Sequence, residues 1–145
     1  MILNDTNIHV RILKKEIGIY PYDETMLQPA SLDIKLSGEI GFFKTNLKRV
    51  NVYPGEAFSE FTETVDVKDK VEGRSSLGRL GLQIHSTAGF IDPGFKGFIT
   101  LELHNLSKTR IILYKNMKIG QIAFHTLLSP AQNPYGSESL DSKYQ

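Results

Sequence analysis

The sequence predicts a mainly β fold, a sandwich or barrel of short strands preceded by one N-terminal helix. Three observations predict it. Apolar alternation of period two recurs from Leu32 onward; Gly73, Gly78, Gly81, Gly89, Gly94 and Gly97 punctuate short apolar runs; only the first sixteen residues carry helical spacing. A chain of 145 residues suits one domain, divided here into a β body, 1–128, and a C-terminal arm, 129–145.

The helix has Asn4 or Asp5 as its N-cap and Ile8, Ile12 and Lys15 along one face, and Gly18 and Pro21 close it off. After Pro29, Leu32, Ile34 and Leu36 point to one side and Asp33 and Lys35 to the other, which predicts a strand with one buried face. Phe42-Phe43, Val50-Asn51-Val52 and residues 58–67 are further strand candidates, separated by Asn46, Pro54-Gly55 and Lys68-Asp69-Lys70. Ile99, Leu101 and Leu103 alternate with Thr100, Glu102 and His104, so another strand is expected there, with Glu102 on its polar face. Strands are expected at 110–114 and 119–124, turning at Lys115-Asn116. From Ser129 the composition shifts to Pro, Asn, Gly, Ser and Asp, with Tyr135 and Tyr144 as the large anchors of an arm.

Composition narrows the chemistry. Hydrophobic residues make up 40% and charged residues 23%, an ordinary globular balance. Seventeen basic and sixteen acidic side chains leave a formal charge of +1, so no net field recruits nucleic acid or an anionic membrane. The N-terminal residues do not resemble a signal peptide and no long apolar run predicts a membrane span, so a soluble, cytoplasmic protein is expected. There are no cysteines, and His9, His85, His104 and His125 lack the paired spacing of a zinc site. Zinc-dependent base deamination needs His-x-Glu and Pro-Cys-x-x-Cys elements, so any deamination here is expected to run without zinc.

Three short pieces carry candidate chemistry. In Gly73-Arg74-Ser75-Ser76-Leu77-Gly78-Arg79, two arginines bracket two hydroxyls, and backbone N–H groups, hydroxyls and guanidinium forks can all be aimed at phosphate oxygens. A capped surface helix would use the same residue types. The stretch from Ala88-Gly89-Phe90-Ile91-Asp92 through Pro93-Gly94-Phe95 is a glycine-framed loop with one acid, which an ordinary Asx-type turn also explains. Glu102 taken alone is most simply a solvated strand residue.

Together, in this order, the pieces resemble the signature of the dCTP deaminase and dUTPase superfamily, across residues 71–105. Gln28-Pro29-Ala30-Ser31-Leu32-Asp33 is similar to the family's early motif, residues 117–122 to its late strand, and Asn133-Pro134-Tyr135-Gly136 with Ser142-Lys143-Tyr144-Gln145 to its C-terminal arm. Between Phe43 and Glu72 the chain is shorter than is usual in the family and lacks a Pro-Asp-Asp element.

The resemblance implies a distorted β jelly roll of the dUTPase-like β-clip kind, assembled as a homotrimer with sites at subunit interfaces. It implies Mg²⁺ bound through the nucleotide triphosphate, with no metal-binding protein residues and no zinc. Glu102 matches the general base and acid, with Ser75 and Arg79 orienting the attacking water. Arg74, Ser75 and Ser76 match phosphate or sugar contacts within the binding stretch that runs through Leu77, Gly78 and Arg79. Ala88 and Leu101 fall in the matching pocket segments, Asp92 matches the sugar contact, Thr100 and Gln121 match base or pocket contacts, and Tyr135 and Lys143 match phosphate contacts from the arm. The implied ligands are dCTP and dUTP, with dTTP as a candidate inhibitor.

Gly89-Phe90 before Ile91-Asp92 resembles the bifunctional members, which deaminate dCTP and then hydrolyse dUTP to dUMP and pyrophosphate. In that reading Asp92 also helps place the water that attacks the α-phosphorus. A single-activity deaminase or dUTP diphosphatase is the alternative, distinguished by dUTP accumulation or by inertness toward dCTP. A non-catalytic trimeric nucleotide-binding module is a third, distinguished by tight dCTP binding without product.

Overall fold

The computed structural model describes residues 1–37, 67–87 and 89–142. The strand candidates at 42–43 and 50–52, and all but the last residue of the one at 58–67, lie outside the described residues. Within them the chain is mainly β, with a short N-terminal helix.

Helix α1 runs Asp5–Leu13, shorter than the helical spacing of the sequence suggests. Its start is chemical: Asn4 is the N-cap and its side-chain carbonyl accepts the Asn7 N–H at 2.9 Å, while Asp5 in the first turn and Arg11 in the last suit the helix dipole. Its end is conformational. Lys15 adopts φ 60, and the N–H groups of Glu16 and Ile17 both return to the Arg11 carbonyl. Ile8 is fully buried and Ile12 packs beside it, so the predicted apolar face holds for the turns that form.

After a 3₁₀ turn at Glu24–Met26 come β1 (Leu27–Gln28), β2 (Ser31–Lys35), β3 (Val67–Gly73), a single-turn helix α2 (Ser75–Gly78), β4 (Leu82–Gln83), β5 (Phe90–Ile91), β6 (His104–Asn105) and β7 (Lys118–Thr126). A second 3₁₀ turn, Glu138–Leu140, lies in the arm. The main sheet has the order β1-β2-β7-β3-β5, antiparallel throughout, and β4 pairs with β6 as a separate ribbon.

Central β7 sets the register. Ile122 stands opposite Leu32 on one side and Val71 on the other, which makes a buried apolar row across three strands. Gly120 stands opposite Ile34 and Gly73. A side chain at Gly120 would begin 2.9 Å from the Glu72 carbonyl oxygen, so only glycine lets these strands close. The pairing skips Ile119 between Ile34 and Lys35, and this bulge sends Ile119 into a second core with Leu36, Leu82 and Ile84. The first core, containing Ile8, Leu32, Val71 and Phe124, lies where α1 packs on the sheet, and Ile34 and Leu101 touch both cores.

Three sequence expectations change. Lys68-Asp69-Lys70 is not a separator but part of β3, because ladder bonds are made by the backbone and tolerate a charged run. Residues 99–103 and 110–114 form no ladder among the described residues, apart from β6 beginning at His104. Their alternation survives as burial except at Ile99, which is exposed where the inner face was expected: Leu101, Leu103, Ile111 and Leu113 pack against the cores, and Thr100, Glu102, Ile112 and Tyr114 face outward. Period two reports which side is covered, whereas a ladder also requires a strand alongside. Finally, Asp33 is not on a solvated face; it is 1% exposed. The turn at Lys115-Asn116 forms as expected, with Asn116 at φ 66. Among the described residues no helix is long and apolar enough to cross a membrane.

Candidate active site

The junction of β3 and α2 builds the floor of an open cleft of about 520 Å³. Gly73 ends the strand where any Cβ would press on Ile84 at 3.1 Å. Arg74 is extended, at φ −85 and ψ 131, and its carbonyl accepts the N–H groups of Leu77 and Gly78, so the chain turns immediately into α2. Arg79 closes that turn by donating its N–H to the Ser75 carbonyl at 3.0 Å. Gly81, at φ +87, then redirects the chain toward β4. The cleft is lined by Glu72, Arg74, Ser75, His85, Thr87 and Gly89 among others.

The far wall is tied to the floor, for Val71 donates its N–H to the Gly89 carbonyl at 2.8 Å. Residues sixteen apart in sequence, Gly73 and Gly89, therefore meet in one cavity. A Cβ on Gly89 would sit 3.3 Å from the Val71 carbonyl, so the approach is close. Phe90, next along β5, is exposed, with the Lys70 ammonium 5.9 Å from its ring centroid.

Of the residues singled out from sequence, Arg74, Ser75, Gly78 and Gly89 line the cleft. Ser76 and Arg79 are exposed beside it, and Leu77 packs against the second core. Thr100 and Glu102 are exposed on the 99–103 segment, whose intervening Leu101 spends its side chain on the two cores. Asp92 is exposed at a turn whose carbonyl accepts the Phe95 N–H. Tyr135 docks on that same turn, donating its N–H to the Pro93 carbonyl at 2.7 Å and meeting the Phe95 ring edge-on at 5.4 Å. Gln121, half-buried on β7, accepts the Ser31 hydroxyl at 3.2 Å. Ala88 and Lys143 lie outside the described residues.

Two polar residues were missed from sequence. His85 was noted only as one of four scattered histidines, yet it lines the cleft, and its Nδ1 is buried without a hydrogen-bond partner among the described residues. Asp33 receives the guanidinium of Arg74 and the ammonium of Lys118. No local pattern betrays either, because both depend on contacts between distant strands. Further out, Lys35 donates to Asp23; this bond first, then that from Thr25, lowers the Asp23 carboxyl to about 2. Burial, followed by repulsion from Glu24 and Asp23, raises the neighbouring Tyr22 phenol.

Residues 2–127 match the dCTP deaminase-like family. The chain belongs to that family. Among curated relatives, proteins named "dCTP deaminase, dUMP-forming" from Corynebacterium kroppenstedtii and Corynebacterium jeikeium are 44% and 43% identical to it. Each alignment covers 100% of this chain and 92% of the relative. The Mycolicibacterium smegmatis protein of the same name is 39% identical, with 100% and 91% covered. The first alignment runs over 172 residues against the 145 of this chain, so this dCTP deaminase-like protein lacks residues that its relatives carry. The antiparallel sheets and N-terminal helix agree with membership of the dCTP deaminase-like family.

Proposed function

We propose that the protein converts dCTP to dUMP, removing ammonia from cytosine C4 and then pyrophosphate from the resulting dUTP. The observation that carries this reading is the meeting of Arg74 and Ser75 with Gly89 in one cleft, since these come from the two halves of the signature. Full-chain relatives named as dUMP-forming support both steps rather than a dUTP-forming enzyme.

The first step adds water to C4 and expels ammonia. Glu102 accepts the water proton and returns it to the leaving nitrogen, with Ser75 and Arg79 orienting the water. In the second step another water attacks the α-phosphorus, and the bond to pyrophosphate breaks; Asp92 holds that water and the sugar, beside Gly89-Phe90. Arg74, Ser75 and Ser76 take phosphate oxygens, Thr100 and Gln121 take the base, and Tyr135 and Lys143 close from the arm. The guanidinium and hydroxyl donors at the cleft suit a triphosphate already carrying its own Mg²⁺, which neutralises phosphate charge when bound.

Glu102, Arg79 and Thr100 lie outside the cleft lining of one protomer, which supports sites shared between copies of a homotrimer. Incubation with dCTP and Mg²⁺, followed by product separation, is expected to yield dUMP, pyrophosphate and ammonia. Accumulation of dUTP would remove the second step, and dCTP left intact would remove both.

A further inference from the structure

Asp33 is a buried carboxylate to which none of the steps above gives a part. Its side chain is 2% exposed, on a strand where Leu32 is wholly buried. Its Oδ1 accepts Arg74 Nη1 at 2.9 Å, and its Oδ2 accepts Lys118 Nζ at 2.9 Å and Gln28 Nε2 at 3.1 Å. Removing a carboxylate from water is costly, even when its Arg74 and Lys118 partners stay partly exposed, and buried ion pairs are often no more stabilising than apolar residues of the same size. The arrangement is better explained by what it holds.

The register shows what that is. Strands β2 and β3 do not touch as neighbours; β7 lies between them, with Asp33 opposite Gln121 and Gln121 opposite Glu72. Asp33 therefore reaches across β7 to Arg74, two residues beyond Glu72, at the lip of the cleft. Ser31, two residues before Asp33, donates to Gln121. One strand thus grips two side chains assigned to the nucleotide.

We propose that Asp33 is a positioning residue, which fixes the Arg74 guanidinium before the substrate arrives so that its remaining donors meet the phosphates already oriented. This rests on the phosphate contact assigned to Arg74 in the function above. Freezing one rotamer-rich side chain in advance changes affinity by about two- to tenfold. A purely electrostatic role predicts the opposite sign: deleting a negative charge near the phosphates would tighten binding of a triphosphate.

The test is a double-mutant cycle in dCTP turnover at about 0.15 M salt, where exposed charges are screened. Asp33→Asn is expected to raise KM about fivefold with kcat within about twofold, and to add nothing further in the Arg74→Ala background. A lowered or unchanged KM in Asp33→Asn, or effects that multiply in the double variant, overturns the proposal. An unchanged KM in Arg74→Ala instead overturns the Arg74 contact itself. Should Asp33→Asn fail to fold, the ¹⁵N guanidinium spectrum of the unsubstituted protein, assigned with Arg74→Lys, decides. Separate Nη lines for Arg74 without nucleotide are expected from a held fork, and one averaged line overturns the proposal.

Discussion

Glu102 sits on a segment whose neighbouring leucines are drawn into the cores, so its backbone is anchored on both sides while its carboxylate stays exposed. A base held this way is cheap to remove without unfolding the chain. Glu102→Gln is expected to lower kcat for deamination by about 10²–10⁴ with thermal stability unchanged, and retained turnover would strip Glu102 of its role. Asp23 makes a different prediction. Its folded pKa lies below the ordinary carboxylate value, so its contribution is present above about 4 and is lost as pH falls toward about 2. Asp23→Asn should therefore lower stability modestly at neutral pH and converge with the unsubstituted protein as pH falls toward about 2, which flattens the acid side of the stability profile, read by thermal melts across that window. Taken alone, each was visible in sequence only as an acid, and Glu102 took its role from the order of the signature around it. Asp33 shows why: alternation with Leu32 and Ile34 assigns it to the solvent side, but that side is covered by Arg74 and Lys118, which lie 41 and 85 positions away.

At the level of elements, the arm and the Asp92 turn behave as a unit. Gly94 adopts φ +90, and a Cβ there would fall 2.9 Å from both Pro134 Cβ and the Tyr135 carbonyl oxygen. Gly94→Ala combines that clash with a left-handed backbone that costs about 1–2 kcal/mol for an alanine. The expected outcome is a body that stays folded and an arm that is cut early in limited proteolysis, with a raised KM for dCTP; an arm as protected as before would refute the docking. The arm's composition announced an irregular segment but not its berth, since the Phe95 contact depends on how the turn folds back. The helix start and the Lys115-Asn116 turn were legible because their signals are local. The 101–103 and 110–114 segments were legible as faces, not as ladders, and Ile99 departs from its face.

Over the whole molecule, the 110–114 segment poses a question of solvent. Ile111 and Leu113 pack inward, yet Ile112 and Tyr114 on the outer side are 70% and 66% exposed, and Phe98 is 64% exposed. A segment apolar on both sides is expected where both sides are covered, and the core covers only one. A homotrimer, as proposed above, would supply the other cover and would set Glu102 and Arg79 against a neighbouring cleft. Sedimentation should therefore give a mass three times the 16.3 kDa of the chain, with a thermal midpoint that rises with protein concentration. Placing a charge at the outer apolar side, as in Ile112→Asp, should shift the protein toward monomer and abolish deamination together with assembly, because neither Glu102 nor Arg79 lines the cleft of its own protomer. Activity that persists in a monomeric variant would mean that one chain closes the whole site, and the exposed positions of Glu102 and Arg79 would then have to be brought to the cleft by movement within that chain.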